Sequence, residues 1–202
     1  MTEFLYPFLG SSERGFETVL ADVAASTLEK GTDVSRLRRD IDLDAVIACG
    51  LAIRERLERG GRLLAFGNGG SSTDAQDAAG DFLAAGWGAV ALTNDVATIT
   101  GVANDVGYDN VFARQLIALA RANDVALAFS TSGSSRNVVA GLEEAHRRLL
   151  LTCAVTGYGG GALRELVWLD HLFVSAGDYI PRLQEAHATI SHLLVEVVGK
   201  RS

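Results

Sequence analysis

Two short stretches of the chain carry the backbone and side chains that bind a phosphate well. "GNGGSS" at 67–72 has three glycines, which let backbone N–H groups approach a ligand closely, and Ser71 begins a predicted helix. "STSGSS" at 130–135 supplies five hydroxyl groups ahead of another predicted helix. Each stretch alone also fits a tight turn and a helix cap, with Thr73 and Gln76 as a capping box. Because both follow predicted strands of one sheet, an anion site is favoured.

The first stretch lacks the spacing of the common nucleotide-binding motifs. Ser72 occupies the final glycine position of G-x-G-x-x-G, and the sequence contains no G-x-x-x-x-G-K-[ST]. We therefore expect a small phosphorylated metabolite as the ligand, and no nucleotide cofactor.

Three aspartates follow on the helix predicted over 72–84. Asp77 and Asp81 stand at i and i+4, so their carboxylates share a helix face about 5 to 6 Å apart and repel each other unless a positive group lies between them. A cation or a protonated histidine would relieve that repulsion, and a carboxylate can also act as a base. The alternative is a solvated helix face, an interpretation that suits Asp74 best because the helix dipole favours an acid near the first turn.

The last predicted helix, within "PRLQEAHATISHLLVEVVGK", places polar groups among apolar ones. Gln184 and His192 are eight residues apart, about 12 Å of helical rise, so a metal between them requires both side chains to reach inward. His187 is either a core or an interface histidine, and Glu185 is an alternative acid or base.

These residues must be positioned by a sheet and its helices. Short apolar runs, typical of parallel strands buried on both faces, occur at 62–66, 88–93, 125–130, 149–156 and 171–176. Helical stretches between and after them are predicted near 72–84, 109–122, 136–148, 162–169 and 182–199. This alternation predicts an α/β fold with a doubly wound sheet of five parallel strands. Two helices precede it, one over 13–31 with Gly31 as its stop and one over 42–61.

Length and composition set the protein class. With 202 residues, 48% hydrophobic, one structural domain is expected, in which 1–40 is an N-terminal helical segment and 41–202 the sheet domain. The net charge of −7 argues against nucleic acid as a direct partner. The sequence has no membrane-length apolar run, and its two cysteines form no CxxC motif. We expect a cytoplasmic protein without membrane association.

Several motifs in combination resemble a known family. They are "GNGGSSTDAQ", "LTNDVATITGVANDVGYDNVFARQL", "AFSTSGSSRNVV", "VTGYGGGAL" and "PRLQEAH". Over roughly 40–198 the chain is similar to the sugar isomerase (SIS) domain, specifically to phosphoheptose isomerases. This resemblance implies a flavodoxin-like homotetramer with active sites between subunits, interconverting sedoheptulose 7-phosphate and D-glycero-D-manno-heptose 7-phosphate. Initiator-associating relatives share the same motifs. The alternative function is therefore a non-catalytic phosphosugar-binding regulator or an interaction protein.

The resemblance also implies roles for individual residues. Ser71, Ser130, Thr131, Ser132 and Ser135 would bind the phosphate, and Asn68 and Asp95 would line the sugar pocket. Gly69, Gly70 and Gln184 would also bind the substrate. Family zinc ligands map to Asp77, Asp81, Gln184 and His192. Asp77 and Asp81 depart from the family's His and Glu, and Ala85 stands where an arginine is expected.

Aldose–ketose isomerisation through an enediol needs a base and a second group that manages the carbonyl oxygen. Asp81 and His192 are the predicted catalytic pair. With one imidazole and otherwise oxygen ligands, zinc binding is predicted to be weak, with magnesium, manganese or a metal-free site as alternatives. The amphipathic N-terminal helices and the very apolar last helix predict a symmetric homo-oligomer, a tetramer.

Overall fold

The computed structural model describes residues 15–201. The five strands are β1 (Leu63–Gly67), β2 (Ala89–Ala91), β3 (Val125–Ser130), β4 (Leu151–Thr156) and β5 (His171–Val174). The α-helices are α1 (Phe16–Arg39), α2 (Leu43–Glu58), α3 (Gly70–Ala84), α4 (Val96–Val106), α5 (Val111–Leu119), α6 (Arg136–Arg147) and α7 (Ile180–Val198). Two short 3-10 helices lie at Tyr108–Asn110 and Gly161–Glu165.

The strands form one sheet in the order β2-β1-β3-β4-β5, and every pair is parallel. This is the flavodoxin-like order, in which the strand order reverses between β1 and β3 and leaves a crevice at their carboxyl ends. The predicted doubly wound α/β fold with five parallel strands is confirmed. All residues of β1, β3 and β4 are buried, which explains why these strands are continuous apolar runs in the sequence.

Alternate residues of each strand supply two separate cores. In β1, Leu63 and Ala65 face one core, together with side chains of α2, α3 and α7. Leu64 and Phe66 face the other core, which α5 and α6 cover. The aspartate helix α3 and the last helix α7 therefore lie on the same face of the sheet, where their side chains can meet.

The prediction that Gly31 ends the first helix is wrong, because α1 continues to Arg39. Glycine in a helix interior costs only about 0.5 to 1 kcal/mol, and packing can override that. Val34 and Leu37, beyond the glycine, are the buried residues of α1. The first two residues of the predicted helix, 13 and 14, lie outside the described part of the chain, as do all of residues 1–14 of the predicted 1–40 segment.

Three further differences concern short elements. β2 is three residues long where six were predicted, and α4 was not predicted at all. The helix predicted over 162–169 is instead the 3-10 helix Gly161–Glu165, because Gly160 and Gly161 take positive φ and set a tight turn. Within residues 15–201, no helix is both long and apolar enough to cross a membrane.

Candidate active site

Strand register brings the two predicted phosphate loops together. Gly67, the last residue of β1, pairs with Phe129 of β3, so Asn68 and Ser130 leave adjacent strands at the same edge of the sheet. The loop after β1 leads directly into α3, and the loop after β3 leads into α6. Two helix N-termini therefore point at one crevice, an arrangement that favours an anion.

The first loop depends on glycines for close packing. A Cβ at Gly67 would lie 2.5 Å from the Ser71 carbonyl oxygen and 2.7 Å from that of Phe129, so no larger residue fits. Gly69 caps α3 at a φ of 57° and makes no side-chain capping bond. The capping box suggested as an alternative is absent, because the Thr73 hydroxyl donates to the Gly70 carbonyl. No side chain caps the first N–H groups of α3, although those of Ser71 and Ser72 donate to the Asn68 and Gly69 carbonyl oxygens.

The second loop is held in shape by its own hydroxyl groups. Ser130 is buried, and its hydroxyl donates to Ser135 at 3.2 Å. The Ser132 hydroxyl accepts from the Ser134 N–H, while Ser132 itself stays exposed. Thr131 is half-buried, and its carbonyl accepts a bond from the loop that follows β4. A ligand phosphate would thus meet hydroxyl groups that are already fixed in place.

A pair of asparagines joins the two loops. Asn68 Nδ2 donates to Asn137 Oδ1 at 2.7 Å, and Asn137 Nδ2 donates back to Asn68 Oδ1 at 2.8 Å. Asn137 lies in the first turn of α6 and is buried. Asn137 was not predicted as a site residue, although it stands two residues after the serine-rich loop and therefore near the predicted phosphate site.

The two predicted catalytic residues are neighbours across α3 and α7. His192 Nε2 lies 3.5 Å from Asp81 Oδ2, and both side chains are accessible, with 62% and 42% of their surface exposed. This distance is longer than a hydrogen bond, and it leaves the carboxylate and the imidazole side by side and open to a substrate. The structure therefore brings together the pair that acid–base chemistry requires.

Asp74 and His187 form a second, buried contact between the same helices. Burial raises the pKa of Asp74 to about 7, an effect that a hydrogen bond from Gln184 partly offsets and the nearby charge of Asp77 reinforces. Burial also lowers the pKa of His187 to about 4, although the Thr156 carbonyl opposes the shift. The two groups lie 4.0 Å apart. The interpretation of Asp74 as part of a solvated face is wrong, and His187 is a core histidine.

Gln184 lies at the opposite end of α3 from the Asp81–His192 pair. A Cβ on Gly70 would come within 2.1 Å of Gln184 Nε2, so the glutamine packs against the start of the helix. From Gly70 to Asp81 the helix rises about 16 Å. Within one chain, Gln184 and His192 therefore do not converge on a common point with Asp77.

The predicted zinc set accordingly fits a metal poorly in one chain. Among residues 15–201 there is no cluster of three or more His, Cys, Asp or Glu side chains placed to hold a metal ion. Asp77 is exposed and stands one turn before Asp81. Zinc binding by Asp77, Asp81, Gln184 and His192 stays a prediction.

Asp95 lies in a different cleft from the serine loops. Its carboxylate caps α4, accepting from the Thr98 N–H at 3.1 Å and the Thr98 hydroxyl at 2.6 Å. These bonds lower the pKa of Asp95. The cleft has a volume of about 750 Å³ and includes Gln76 and Arg114 beside Asp95. Its role in a sugar pocket stays a prediction.

Comparison with known proteins identifies the family. A model of the SIS domain matches residues 30–157. A phosphoheptose isomerase from Geobacter metallireducens is 45% identical over 150 residues, which cover 71% of this chain and 78% of the relative. The chain belongs to the phosphoheptose isomerase family of SIS domain proteins. Another member, from Thermodesulfovibrio yellowstonii, is 41% identical over 152 residues, covering 72% and 75% of the two chains.

Solved phosphoheptose isomerases have the same fold. The phosphoheptose isomerase GmhA from Neisseria gonorrhoeae superposes with a TM-score of 0.83 at 32% identity, covering 89% of this chain and 98% of that one. A phosphoheptose isomerase from Francisella tularensis gives the same TM-score and identity, covering 91% and 99%. The family membership expected from the motifs is confirmed, and it makes this chain an isomerase of the phosphoheptose isomerase type.

Proposed function

We propose that this protein interconverts sedoheptulose 7-phosphate and D-glycero-D-manno-heptose 7-phosphate. The observation that carries the proposal is the Asp81–His192 contact, on helices that also carry Gly70 of the first phosphate loop and Gln184. Family membership supports the substrate, since relatives at 41% and 45% identity are named phosphoheptose isomerases. The two free cysteines suit the reducing cytoplasm, where we propose that the protein acts.

The proposed mechanism assigns carbon-bound protons to Asp81 and oxygen-bound protons to His192. The Asp81 carboxylate removes a proton from C1 of the ketose, and His192 protonates the carbonyl oxygen at C2, giving an enediol. The exposed Asp81 carboxyl exchanges its proton with solvent and then protonates C2, while His192 takes the proton from the C1 hydroxyl, leaving an aldehyde. Each group ends in its starting state. General acid–base groups positioned in this way contribute about 10²- to 10⁴-fold each.

The length of α3 suggests that the site combines two subunits. Ser71 and Asp81 are ten residues apart, which is about 15 Å of helical rise. A seven-carbon sugar phosphate bound at the serine loops is shorter than that span. We therefore propose that the serine loops of one subunit face the Asp81–His192 pair of another, and the exposure of that pair supports this.

Exposed apolar residues on the N-terminal helices support a homotetramer. On α2, Leu43, Ile47 and Leu51 repeat every four residues and are 58%, 48% and 55% exposed. On α1, Phe16 and Leu28 are more than three-quarters exposed. The apolar character of α7 gives less support than the sequence suggested, because that helix packs against α1, α2 and α3 within the chain.

Turnover of the proposed substrate tests the function. Purified protein mixed with sedoheptulose 7-phosphate should produce an aldose anomeric signal in the proton NMR spectrum. The D81N variant should lose this activity, and D105N, an exposed aspartate on α4, should retain it. A wild-type protein that binds the phosphosugar without converting it would support the regulator alternative instead.

A further inference from the structure

A third side chain completes the hydrogen bonding of the asparagine pair. The Tyr108 hydroxyl donates to Asn68 Oδ1 at 3.0 Å, and Asn137 Nδ2 donates to the same oxygen at 2.8 Å. A carbonyl oxygen accepts two hydrogen bonds, so Asn68 Oδ1 is saturated. Asn68 Nδ2 gives one N–H to Asn137, which leaves its second N–H as the donor that a ligand can use.

The asparagine pair alone does not determine which way the amides point. Turning both amides over exchanges their oxygen and nitrogen atoms and restores the same two reciprocal bonds. In the structure the Tyr108 hydroxyl donates to Asn68 Oδ1, in the arrangement that leaves one Asn68 N–H free, and this third bond holds the Asn68 amide against rotation. The tyrosine thereby fixes the position of the remaining Nδ2 donor.

The backbone around Tyr108 is fastened to the same place. Tyr108 begins the 3-10 helix between α4 and α5, and its neighbour Asp109 lies 3.2 Å from Arg136, the residue before Asn137. Adjacent residues of the 3-10 helix thus contact adjacent residues at the start of α6. The ion pair is exposed on both sides, so it contributes little energy. Asn68 receives its orientation from the tyrosine hydroxyl rather than from this surface pair.

We infer that Tyr108 is a positioning residue for sugar recognition, holding the Asn68 amide so that its free N–H donates to an oxygen of the phosphosugar. The inference rests on the proposed function, in which Asn68 belongs to the sugar pocket. It assigns Tyr108 no contact with the phosphate, which the two serine-containing loops bind.

The Y108F variant removes only the hydroxyl group. We expect KM for sedoheptulose 7-phosphate to rise about 3- to 10-fold, the usual worth of one neutral hydrogen bond, with kcat nearly unchanged. Affinity for inorganic phosphate should stay the same. D109N is the matched control: it cuts the neighbouring ion pair and leaves the hydroxyl, so its KM should equal that of the wild type.

A double-mutant cycle separates positioning from general loosening of the loop. If Tyr108 acts through Asn68, adding Y108F to N68A causes no further rise in KM. An undiminished effect of Y108F in the N68A background, or an equal loss of inorganic phosphate affinity, would overturn the inference.

The same variants distinguish failure of this inference from failure of the proposed function. If the wild type binds sedoheptulose 7-phosphate without turnover, the proposed function fails, and the cycle is then measured from dissociation constants by calorimetry with the same expected pattern. If the wild type binds inorganic phosphate but shows no added affinity for the phosphosugar, the role of Tyr108 is refuted as well.

Discussion

His192 Nε2 and Asp81 Oδ2 lie 3.5 Å apart between helices α7 and α3, while the neighbouring pair His187 and Asp74 is buried. The same two helices therefore carry one accessible and one inaccessible carboxylate–histidine contact. Because a substrate can reach only the accessible pair, we propose that Asp81 and His192 carry the chemistry.

Replacing either member of the accessible pair should stop turnover while leaving ligand binding intact. We expect kcat of D81N and H192A to fall at least 10²-fold, the usual loss for a general acid or base. Affinity for inorganic phosphate, measured by calorimetry, should change little. H146A is the control, because His146 is exposed and stacks on Trp168 instead. Full activity in H192A would remove the imidazole from the mechanism.

The serine loops should determine phosphosugar affinity. Removing both hydroxyl groups in S130A/S135A deletes a buried donor and its partner, so neither is left unpaired. Hydrogen bonds to a charged group are worth about 1.5 to 3 kcal/mol, so the dissociation constant should rise about 10- to 100-fold. S35A, on the exposed face of α1, should bind as the wild type does. Equal affinities for all three proteins would place the phosphate elsewhere.

The buried pair predicts two opposite pH dependences of stability. The pKa of Asp74 is raised from 3.8 to about 7, so the folded state binds the extra proton and stability is lost as pH rises through that window. The pKa of His187 is lowered from 6.5 to about 4, so stability is lost as pH falls through that range. In the wild type the two contributions oppose each other between about pH 4 and 6.5.

Single substitutions should expose each contribution. D74N leaves only His187, so the free energy of unfolding should increase with pH between 4.5 and 6.5, by up to about 1.4 kcal/mol per pH unit. H187Q leaves only Asp74, and its slope should have the opposite sign. Urea denaturation at several pH values measures both slopes. Slopes of the same sign in the two variants would contradict these assignments.

Introducing a histidine at position 77 should strengthen zinc binding. The wild type offers one imidazole beside carboxylates, so we expect substoichiometric zinc after purification. D77H adds a second imidazole one helical turn from Asp81, whereas D77N adds none and serves as the control. Competition with a fluorescent chelator measures the affinities. One tightly held zinc per wild-type chain, or no gain in D77H, would refute the prediction.

A charge on the exposed face of α2 should disrupt the oligomer. Ile47 is half exposed between Leu43 and Leu51, so I47E would bury a charge in any interface formed there. Light scattering should give a tetramer for the wild type and a smaller species for I47E. V167E is the control, because Val167 is almost fully exposed away from these helices. A monomeric wild type at micromolar concentration would contradict the proposal.

The parts predictable from sequence were those with a local signal. Continuous apolar runs such as 125–130 predicted buried strands, and the glycines of 67–70 predicted a loop at which a helix begins. Helix α4 was not predicted, although Ile99, Val102 and Ala103 stand at helical spacing and pack, partly buried, against the core. The predicted helix end at Gly31 was wrong because packing of the following turn outweighs the low helix propensity of glycine.

The parts that could not be predicted depend on distant contacts. The Asn68–Asn137 pair exists because β1 and β3 are adjacent and in register, which no local pattern reveals. Burial of Asp74 depends on how α7 lies against α3. An acid that the sequence placed on a solvated helix face is therefore buried, and its pKa is raised. Asp81 and His192 were predicted as a functional pair, but the distance between them depends on how α3 and α7 pack against each other.

Proton exchange at the reacting carbons tests the central claim most directly. In deuterated water, isomerisation of sedoheptulose 7-phosphate through an enediol places solvent deuterium on C2 of the aldose and on C1 of the recovered ketose. The account predicts deuterium at both carbons with wild-type protein and none with D81N. Product formed without any deuterium, or exchange that persists at the wild-type rate in D81N, would contradict it.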